Sequence, residues 1–446
     1  MRLSTQMLSP GGVALVLLSL LIFHTTASAD APPRVHRKNQ GNSRIQQDEL
    51  AWPELHKMIG VDYRPDGSSK LGYGQSQQVE FEITGVKDDN KNPSSTRSRQ
   101  KFKSEFQSKD RCLLFVDEFD KLDNSVWRHD LTLTGGGNFE VQAYINNRTN
   151  TFVKDGIFYI RPTLTEHRIG AEALREGGVL DMWGTDPGTQ CTGNYDYGCY
   201  RVAGAGGNIL NPIQSGLVRS ANSFKFRYGR VEVRAKMPKG KWIWPAIWML
   251  PAHYQYGGWP ASGEIDLVES RGNGPDYPGG GYDKVASTLH WGPSFEFNRY
   301  QMTHAEYALP DGKSFADDFH VFTLDWRPEG IKTFVDDNLL LDVSFDDMFK
   351  KGNFPSWVDN LWAGSKSAPF DQEFYLMMNV AVAGTAGYFP DGVGGKPWND
   401  KSPHAVNEFY AAKDDWYPTW GSESGTDRAL AVDYIRVYKH SCSAQK

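Results

Sequence analysis

The chain has 446 residues, of which 39% are hydrophobic and 23% are charged, and it contains 45 glycines. This composition is typical of a globular protein with one large or two ordinary domains, and it excludes a wholly disordered chain and a multi-span membrane protein. The formal charge is −6; residues 1–29 carry +1 and residues 30–110 carry +2, which leaves −9 for residues 111–446. We therefore expect no nucleic-acid partner and no sulfated polyanion, since both require Lys and Arg to neutralise their charge.

The N-terminus has the pattern of a secretory signal peptide. Arg2 precedes an apolar run from Val13 to Phe23, and the small residues Ala27-Ser28-Ala29 follow it. We predict cleavage after residue 29, so that Asp30 begins a secreted, extracellular chain. The alternative is a membrane-anchoring helix, but the run is shorter than the roughly 20 apolar residues that span a bilayer. We expect no membrane-spanning segment.

Residues 30–110 form a polar segment that is rich in Ser, Gln, Lys and Arg and holds one of the 14 tryptophans, Trp52. Such a composition supplies few side chains for a core. The alternation at Val79–Ile83 predicts one isolated strand. We interpret the segment as a largely unstructured N-terminal extension, followed by a single domain over residues 111–446.

The chain beyond residue 111 has a repeated β pattern. Strands are predicted in chain order at 152–153 and 157–160 as a hairpin around Asp155-Gly156, at 230–235, at 319–325, 331–335 and 339–343 as a meander, at 374–383 and at 429–438. Long helical periodicity is almost absent. Many short strands with Gly- and Pro-rich connections predict an all-β fold in which two antiparallel sheets pack as a sandwich.

Four cysteines fit a secreted protein, and they allow three pairings. From position we favour Cys191 with Cys199, inside one Gly- and Tyr-rich loop, and Cys112 with Cys442, which joins the two ends of the domain. Free buried thiols are the alternative. The one sequon, at Asn147, predicts a glycosylation site.

Three acidic residues stand close together in the segment 262–270, Ser-Gly-Glu-Ile-Asp-Leu-Val-Glu-Ser. In a regular strand Glu264 and Asp266 face one side, while Glu269 faces the core, where burying a charge costs several kcal/mol. One extra residue at Leu267-Val268, a β-bulge, returns Glu269 to the face of the other two acids. The alternative interpretation is an exposed, salt-bridged strand.

The spacing of these acids predicts a reaction type. With the bulge, the Cα atoms of Glu264 and Glu269 are about 13 Å apart and their carboxyl groups about 5 Å apart. A gap of about 5 to 5.5 Å is typical of a retaining glycosidase, in which one carboxylate attacks the sugar and the other is acid and then base. Asp266 would hydrogen-bond the nucleophile and raise the proton affinity of the acid.

Aromatic residues cluster around the acidic segment. Because aromatic faces bind the C–H side of sugar rings, the cluster favours a carbohydrate cleft, although each Trp taken singly is more often a core residue. His290 has an equally good structural interpretation. The candidate substrate-binding residues are Trp244, Trp248, Trp259, His290 and Trp291.

Several segments in the same order resemble glycoside hydrolase family 16, in its laminarinase-like branch. They are Gly263–Glu269, Trp244–Pro251, Phe319–Trp326, Pro369–Leu376 and Val432–Tyr438. The resemblance implies a β-jelly-roll and retaining endo-hydrolysis of β-1,3-glucan, with Glu264 as nucleophile, Glu269 as acid/base and Asp266 as helper. It also implies a structural Ca²⁺, for which Asp433 is the candidate ligand. No other cofactor is required, because carboxyl groups can carry out both proton transfer and attack.

Two functions remain open on these residues. The first is a secreted, monomeric endo-β-1,3-glucanase that acts on laminarin-like glucans. The second is a pattern-recognition protein of innate immunity that binds β-1,3-glucan without cleaving it, since the same branch contains such proteins, which often lack the catalytic glutamates. Hydrolysis of another polysaccharide on the same fold, such as β-1,3-1,4-glucan or a galactan, is a third interpretation.

Overall fold

The structure is a computed structural model, and it describes residues 112–184 and 189–442. The predicted signal peptide (residues 1–29), the polar extension (residues 30–110) and the strand at Val79–Ile83 lie outside the described residues. Within the described ranges, no helix combines the length and apolar character needed to cross a membrane.

Twenty strands carry the fold of the described residues. They are β1 (Cys112–Asp117), β2 (Arg128–His129), β3 (Gln142–Tyr144), β4 (Thr151–Lys154), β5 (Ile157–Ile160), β6 (Thr163–Leu164), β7 (Val179–Asp181), β8 (Tyr200–Val202), β9 (Ile213–Ser215), β10 (Leu217–Arg219), β11 (Gly229–Lys236), β12 (Ile243–Pro251), β13 (Glu264–Ser270), β14 (Lys284–His290), β15 (His304–Ala308), β16 (His320–Arg327), β17 (Gly330–Val335), β18 (Asn338–Ser344), β19 (Phe374–Val382) and β20 (Leu430–Lys439).

Helices in the described ranges are short and lie in the connections between strands. The α-helices are α1 (Glu166–Ile169), α2 (Ala171–Arg175), α3 (Met348–Lys351), α4 (Ala405–Ala411) and α5 (Lys413–Trp416). The 3₁₀ helices are Gly136–Asn138, Tyr195–Tyr197, Ala205–Gly207, Phe295–Phe297, Tyr300–Thr303 and Tyr417–Trp420.

Two large antiparallel sheets form the body of the fold. One has eight strands in the order β18-β17-β16-β11-β20-β5-β4, with β1 paired to β20. The other has seven strands in the order β15-β14-β13-β12-β19-β10-β2. Two small sheets, β3-β9-β6 and β7-β8, are formed by strands that lie between β2 and β10 in the sequence. The predicted all-β fold, a β-jelly-roll sandwich of two antiparallel sheets, is confirmed.

The main core contains residues of both large sheets. Val231 and Val233 of β11 come from the eight-stranded sheet, and Ile247 of β12 and Ile265 of β13 come from the seven-stranded sheet; all four are fully buried. Because strand side chains alternate, every second residue of β12 and β13 faces away from this core. That opposite face of the seven-stranded sheet, called here the site face, carries the residues discussed below.

The predicted strands coincide with observed ones to within a few residues. The hairpin β4–β5 turns at Asp155 and Gly156, whose φ angles of 55° and 74° are the left-handed values that a tight turn requires. The meander β16–β17–β18 is antiparallel as predicted. Strand β19 ends at Val382, one residue before the predicted end, because Ala383 has a φ of 59°.

Both disulfides favoured from the sequence are present. Cys112 is bonded to Cys442, which joins the start of β1 to the residues after β20, and Cys191 is bonded to Cys199. The first bond closes a loop of 330 residues along the chain. It therefore holds together the two ends of the domain, where β1 and β20 already pair.

Candidate active site

Strand β13 contains the β-bulge that the acidic segment predicts. Against β12, Trp248 pairs with Asp266 and Ile247 pairs with Val268, so Leu267 is the extra residue. Against β14 the register also shifts between Asp266 and Glu269. Leu267 and Val268 are both buried in the core. Two consecutive apolar residues therefore face inward, and the alternation resumes with Glu269 on the site face.

The three acids lie together on the site face. Glu269 pairs across the strands with Ala246, and the indole N–H of Trp244 donates to its Oε1 at 2.8 Å. The indole N–H of Trp259 donates to Oε2 of Glu264 at 2.9 Å. The indole of Trp259 favours the ionised form of Glu264, because its N–H donates to a carboxylate oxygen. The structure thus places all three acids on one face of β13.

Burial and mutual repulsion change the proton affinities of two of these acids. Burial raises the pKa of Glu264 to about 8, with a further contribution from the charge of Asp266. Burial, followed by the charge of Glu269, raises the pKa of Asp266 well above its usual value. Because two neighbouring buried carboxyl groups repel each other when both are ionised, the pair favours a state in which one of them holds a proton. Asp266 is the more deeply buried of the two, so we place the proton on Asp266, where its repulsion of Glu264 disappears.

His290 faces the same acids from the end of β14. Its Nε2 lies 3.2 Å from Oδ2 of Asp266 and 3.9 Å from Oε1 of Glu264. Its Nδ1 lies 2.8 Å from Nδ2 of Asn298, whose Oδ1 accepts the backbone N–H of Tyr300. Because the amide N–H of Asn298 donates to Nδ1, the proton of the neutral imidazole is on Nε2. His290 therefore presents an N–H to Asp266.

The cluster of Glu264, Asp266 and His290 is also the one group of three in the described ranges whose ligand atoms, all within 4.8 Å of one another, are spaced for a metal ion. A metal needs the Nε2 lone pair, and a ligating His normally donates its other N–H to an acceptor. Here the other nitrogen accepts from Asn298, which leaves Nε2 protonated. The contact of His290 with Asn298 therefore argues against metal coordination through Nε2.

Three of the predicted tryptophans lie on the site face. The Trp244 ring is stacked on Tyr388, with centroids 3.6 Å apart and planes 3° apart. Trp248 is partly exposed and donates to Oδ1 of Asn379 at 2.7 Å. Trp259 contacts the ring of His290 at 5.5 Å between centroids. These rings surround the acids as the predicted carbohydrate cleft requires.

The prediction that Trp291 binds substrate is wrong. It is fully buried, and its indole N–H donates to Oγ1 of Thr303 at 2.8 Å. Its ring packs against Trp362 in the core. The reason is the alternation of strand side chains: His290 and Trp291 are consecutive, so they point to opposite faces of the sheet. With His290 on the site face, Trp291 belongs to the core.

An apolar floor beside the acids was not predicted from the sequence. A small cluster separate from the main core contains Tyr144, Leu217, Tyr375 and Met377, and Trp248 packs against it. Asn379 follows on the same face of β19 and accepts from Trp248. The alternation of β19 could have identified Tyr375, Met377 and Asn379, whereas Tyr388 lies in a loop with no such signal. A floor of apolar and amide groups suits a neutral, hydroxyl-rich ligand.

Two further predicted sites lie elsewhere. Oδ2 of Asp433 is 2.6 Å from Nη1 of Arg234. A calcium ion would have to share this carboxylate with a guanidinium of like charge, so Asp433 as placed does not fit the calcium site that the resemblance implies.

Asn147 lies in the turn before β4, and its Oδ1 accepts the backbone N–H of Thr149 at 2.8 Å. A glycan on Asn147 stays a prediction.

The chain is similar in sequence to several known proteins. Residues 208–372, which include all three acids, match the model of glycosyl hydrolases family 16. The chain is 50% identical to the β-1,3-glucan-binding protein of Penaeus monodon, over 75% of this chain and 92% of that protein. It is 30% identical to glucan endo-1,3-β-glucosidase A1 of Niallia circulans, over 73% of this chain and 38% of that protein. The solved laminarinase from Rhodothermus marinus is 27% identical, with a TM-score of 0.44, over 74% of this chain and 97% of that one.

Proposed function

The chain belongs to glycosyl hydrolase family 16, and from this premise we propose that it is a secreted endo-β-1,3-glucanase that works by double displacement. One observation carries the proposal: the bulge at Leu267 keeps Glu264 and Glu269 on the same face of one strand. Retaining glycosidases use two carboxyl groups about 5 to 5.5 Å apart, and the spacing predicted for these two residues on one face agrees with that gap. Two disulfides support an oxidising compartment, in agreement with the predicted signal peptide.

In the first step, the carboxylate of Glu264 attacks the anomeric carbon while Glu269 protonates the oxygen of the leaving sugar. The glycosidic bond breaks, and a covalent glycosyl ester forms on Glu264. In the second step, Glu269 takes a proton from water, and the water oxygen attacks the same carbon and releases Glu264. The anomeric configuration is inverted twice and is therefore retained.

Asp266 and the indole donors assist these two groups. A proton held by Asp266 removes the negative charge beside Glu264, and this lowers the pKa of the nucleophile and favours its ionised form. The indole N–H of Trp259 donates to Oε2 of the same carboxylate. The indole of Trp244 holds Glu269 beside the reacting bond. The Nε2 of His290 lies 3.2 Å from Oδ2 of Asp266.

A neutral β-1,3-glucan is the substrate class that the site and the relatives favour. The printed names of the Penaeus and Niallia proteins refer to β-1,3-glucan and to endo-1,3-β-glucosidase activity. Residues 111–446 carry a net charge of −9, which repels sulfated polymers. The apolar floor beside the acids offers faces for sugar rings without positive charge.

The second candidate function is glucan binding without turnover. The name of the Penaeus relative favours it. So does the raised pKa of Glu264, because a carboxyl group with a pKa of about 8 is largely protonated at pH 7 and cannot attack. The proton on Asp266 opposes this effect, and all three acids are present. The two functions therefore differ in whether Glu264 is ionised in the complex.

Reducing-sugar release from laminarin separates these functions. We expect the full chain to release sugar and Glu264→Gln and Glu269→Gln to lose at least about 10³-fold in kcat. Glu172→Gln, in the exposed helix α2, is the matched control and should keep full activity. Equal, negligible release by all four proteins, together with retained laminarin binding, would establish binding without turnover. Faster release from agar, carrageenan or β-1,3-1,4-glucan than from laminarin would contradict the proposed substrate.

A further inference from the structure

Exposed aromatic rings continue outward from the candidate active site. Phe295 is 70% exposed, and its ring centroid lies 5.6 Å from that of Trp259, the residue that donates to Glu264. Phe295 begins a one-turn 3₁₀ helix, Phe295–Phe297. A solvent-facing phenyl ring thus stands one ring away from the proposed nucleophile.

The same helix supports a second exposed ring. Trp357 is 74% exposed, and its ring contacts Phe297 at 5.6 Å between centroids. Phe297 is in turn packed against Phe354 at 6.0 Å. Arg299, two residues after Phe297, donates from Nε to the backbone oxygen of Gly352 at 2.8 Å. The rings are therefore held by packing and hydrogen bonds on their inner side and are open on their outer side.

A charged acceptor, Glu296, lies between Phe295 and Phe297 in the sequence of the same helix. Glu296 is exposed and accepts a hydrogen bond from the hydroxyl of Ser294 at 2.7 Å. That hydrogen bond lowers the pKa of Glu296, so its carboxylate is ionised at neutral pH. Sugar rings bind through aromatic contacts to C–H groups and through hydrogen bonds from hydroxyl groups to such acceptors. A sulfated ligand would be repelled by the same charge.

We propose that Phe295, Phe297 and Trp357, called here the outer aromatic platform, bind glucose units of a β-glucan chain beyond the units held at the acids. The platform is continuous with the candidate active site through the ring contact of Phe295 with Trp259. A polymer bound at the acids can extend over the whole platform, and a short oligosaccharide bound there covers less of it. This inference rests on the proposed function and adds to it a preference for long glucan chains.

Binding measurements on the full chain test the platform, with Glu264→Gln as the parent protein so that no ligand is cleaved. Titration calorimetry would compare laminarin with a β-1,3-linked glucose trisaccharide. We expect Phe295→Ala and Trp357→Ala to weaken laminarin binding about fivefold each, and to leave trisaccharide binding within about twofold of the parent. Trp183→Ala, a 54% exposed Trp after β7, is the matched control and should change neither affinity.

Other outcomes would overturn the inference. If both platform variants bind laminarin as tightly as the parent, the rings do not contact the polymer. If they weaken laminarin and trisaccharide equally, the rings belong to the site at the acids. If they change only self-association in ultracentrifugation, the platform is an interface between copies of the chain. A parent that binds neither ligand would instead refute the proposed function, and the platform with it.

Discussion

Asn298 Nδ2 lies 2.8 Å from His290 Nδ1, and this contact places the imidazole proton on Nε2, 3.2 Å from Asp266. The two residues belong to different elements: Asn298 lies in a loop, and His290 is the last residue of β14. The N–H that faces the acids is thus determined by a residue that does not reach them itself.

Replacing Asn298 should change the protonation of His290. In Asn298→Asp, a carboxylate accepts where the amide donated, so we expect the proton to move to Nδ1 and kcat on laminarin to fall about tenfold, with little change in KM. The ¹⁵N chemical shifts of the His290 ring report the tautomer directly. An Nε2 that stays protonated in the variant would contradict this role for Asn298, whatever happens to kcat.

The raised pKa of Glu264 predicts a pH-dependent cost in stability. Folding favours the protonated carboxyl, because its pKa rises from about 4.5 to about 8 on burial. The stabilisation is therefore complete below pH 4.5 and is lost as the pH rises toward 8. Glu264→Gln, which mimics the protonated form, should raise Tm by at least about 3 °C at pH 8 and hardly change it at pH 4.5. The same Tm difference at both pH values, measured beside Glu172→Gln, would show that Glu264 is not buried as an acid.

The bulge residue gives a prediction that separates packing from chemistry. Leu267 is 2% exposed, so Leu267→Ala should reduce the free energy of unfolding by about 2 to 5 kcal/mol. The acids keep their face in this variant, and kcat of the folded protein should stay within about twofold of wild type. Deleting Leu267 removes the extra residue and turns Glu269 toward the core. Measurable laminarin hydrolysis by a folded deletion variant would show that the bulge does not position Glu269.

Two tryptophans near the site should respond in opposite ways to the same substitution. Trp259→Phe removes an indole donor to a carboxylate, a contact worth about 1.5 to 3 kcal/mol, and should lower kcat/KM about 10- to 100-fold. Trp291→Phe alters only the core, so it should lower Tm and leave kcat/KM unchanged. Thermal unfolding and laminarin kinetics on both variants measure these effects. A loss of glucan affinity in Trp291→Phe, without a loss of stability, would restore Trp291 as a ligand contact.

Much of this site could be predicted from the sequence because strands obey a simple alternation. The sequence predicts the bulge because burying a charged Glu269 in the core is costly. Leu267 and Val268 both point inward, and this keeps Glu269 out of the core. The same alternation excludes Trp291 from the substrate-binding residues, because His290 and Trp291 are consecutive and point to opposite faces. The stacking of Tyr388 on Trp244 could not be predicted, because it depends on where a loop distant in sequence returns to the sheet. The contact of Asn298 with His290 has the same origin.

The covalent intermediate on Glu264 tests the central claim most directly. A 2-deoxy-2-fluoro β-1,3-linked glucoside with a reactive leaving group should form a glycosyl ester with the nucleophilic carboxylate, and this ester should hydrolyse slowly. Peptide mass spectrometry of the full chain should then find one glycosyl group on Glu264, and none in Glu264→Gln. An active protein that carries no adduct, or carries it on Glu269 or Asp266, would contradict the proposed roles of the three acids.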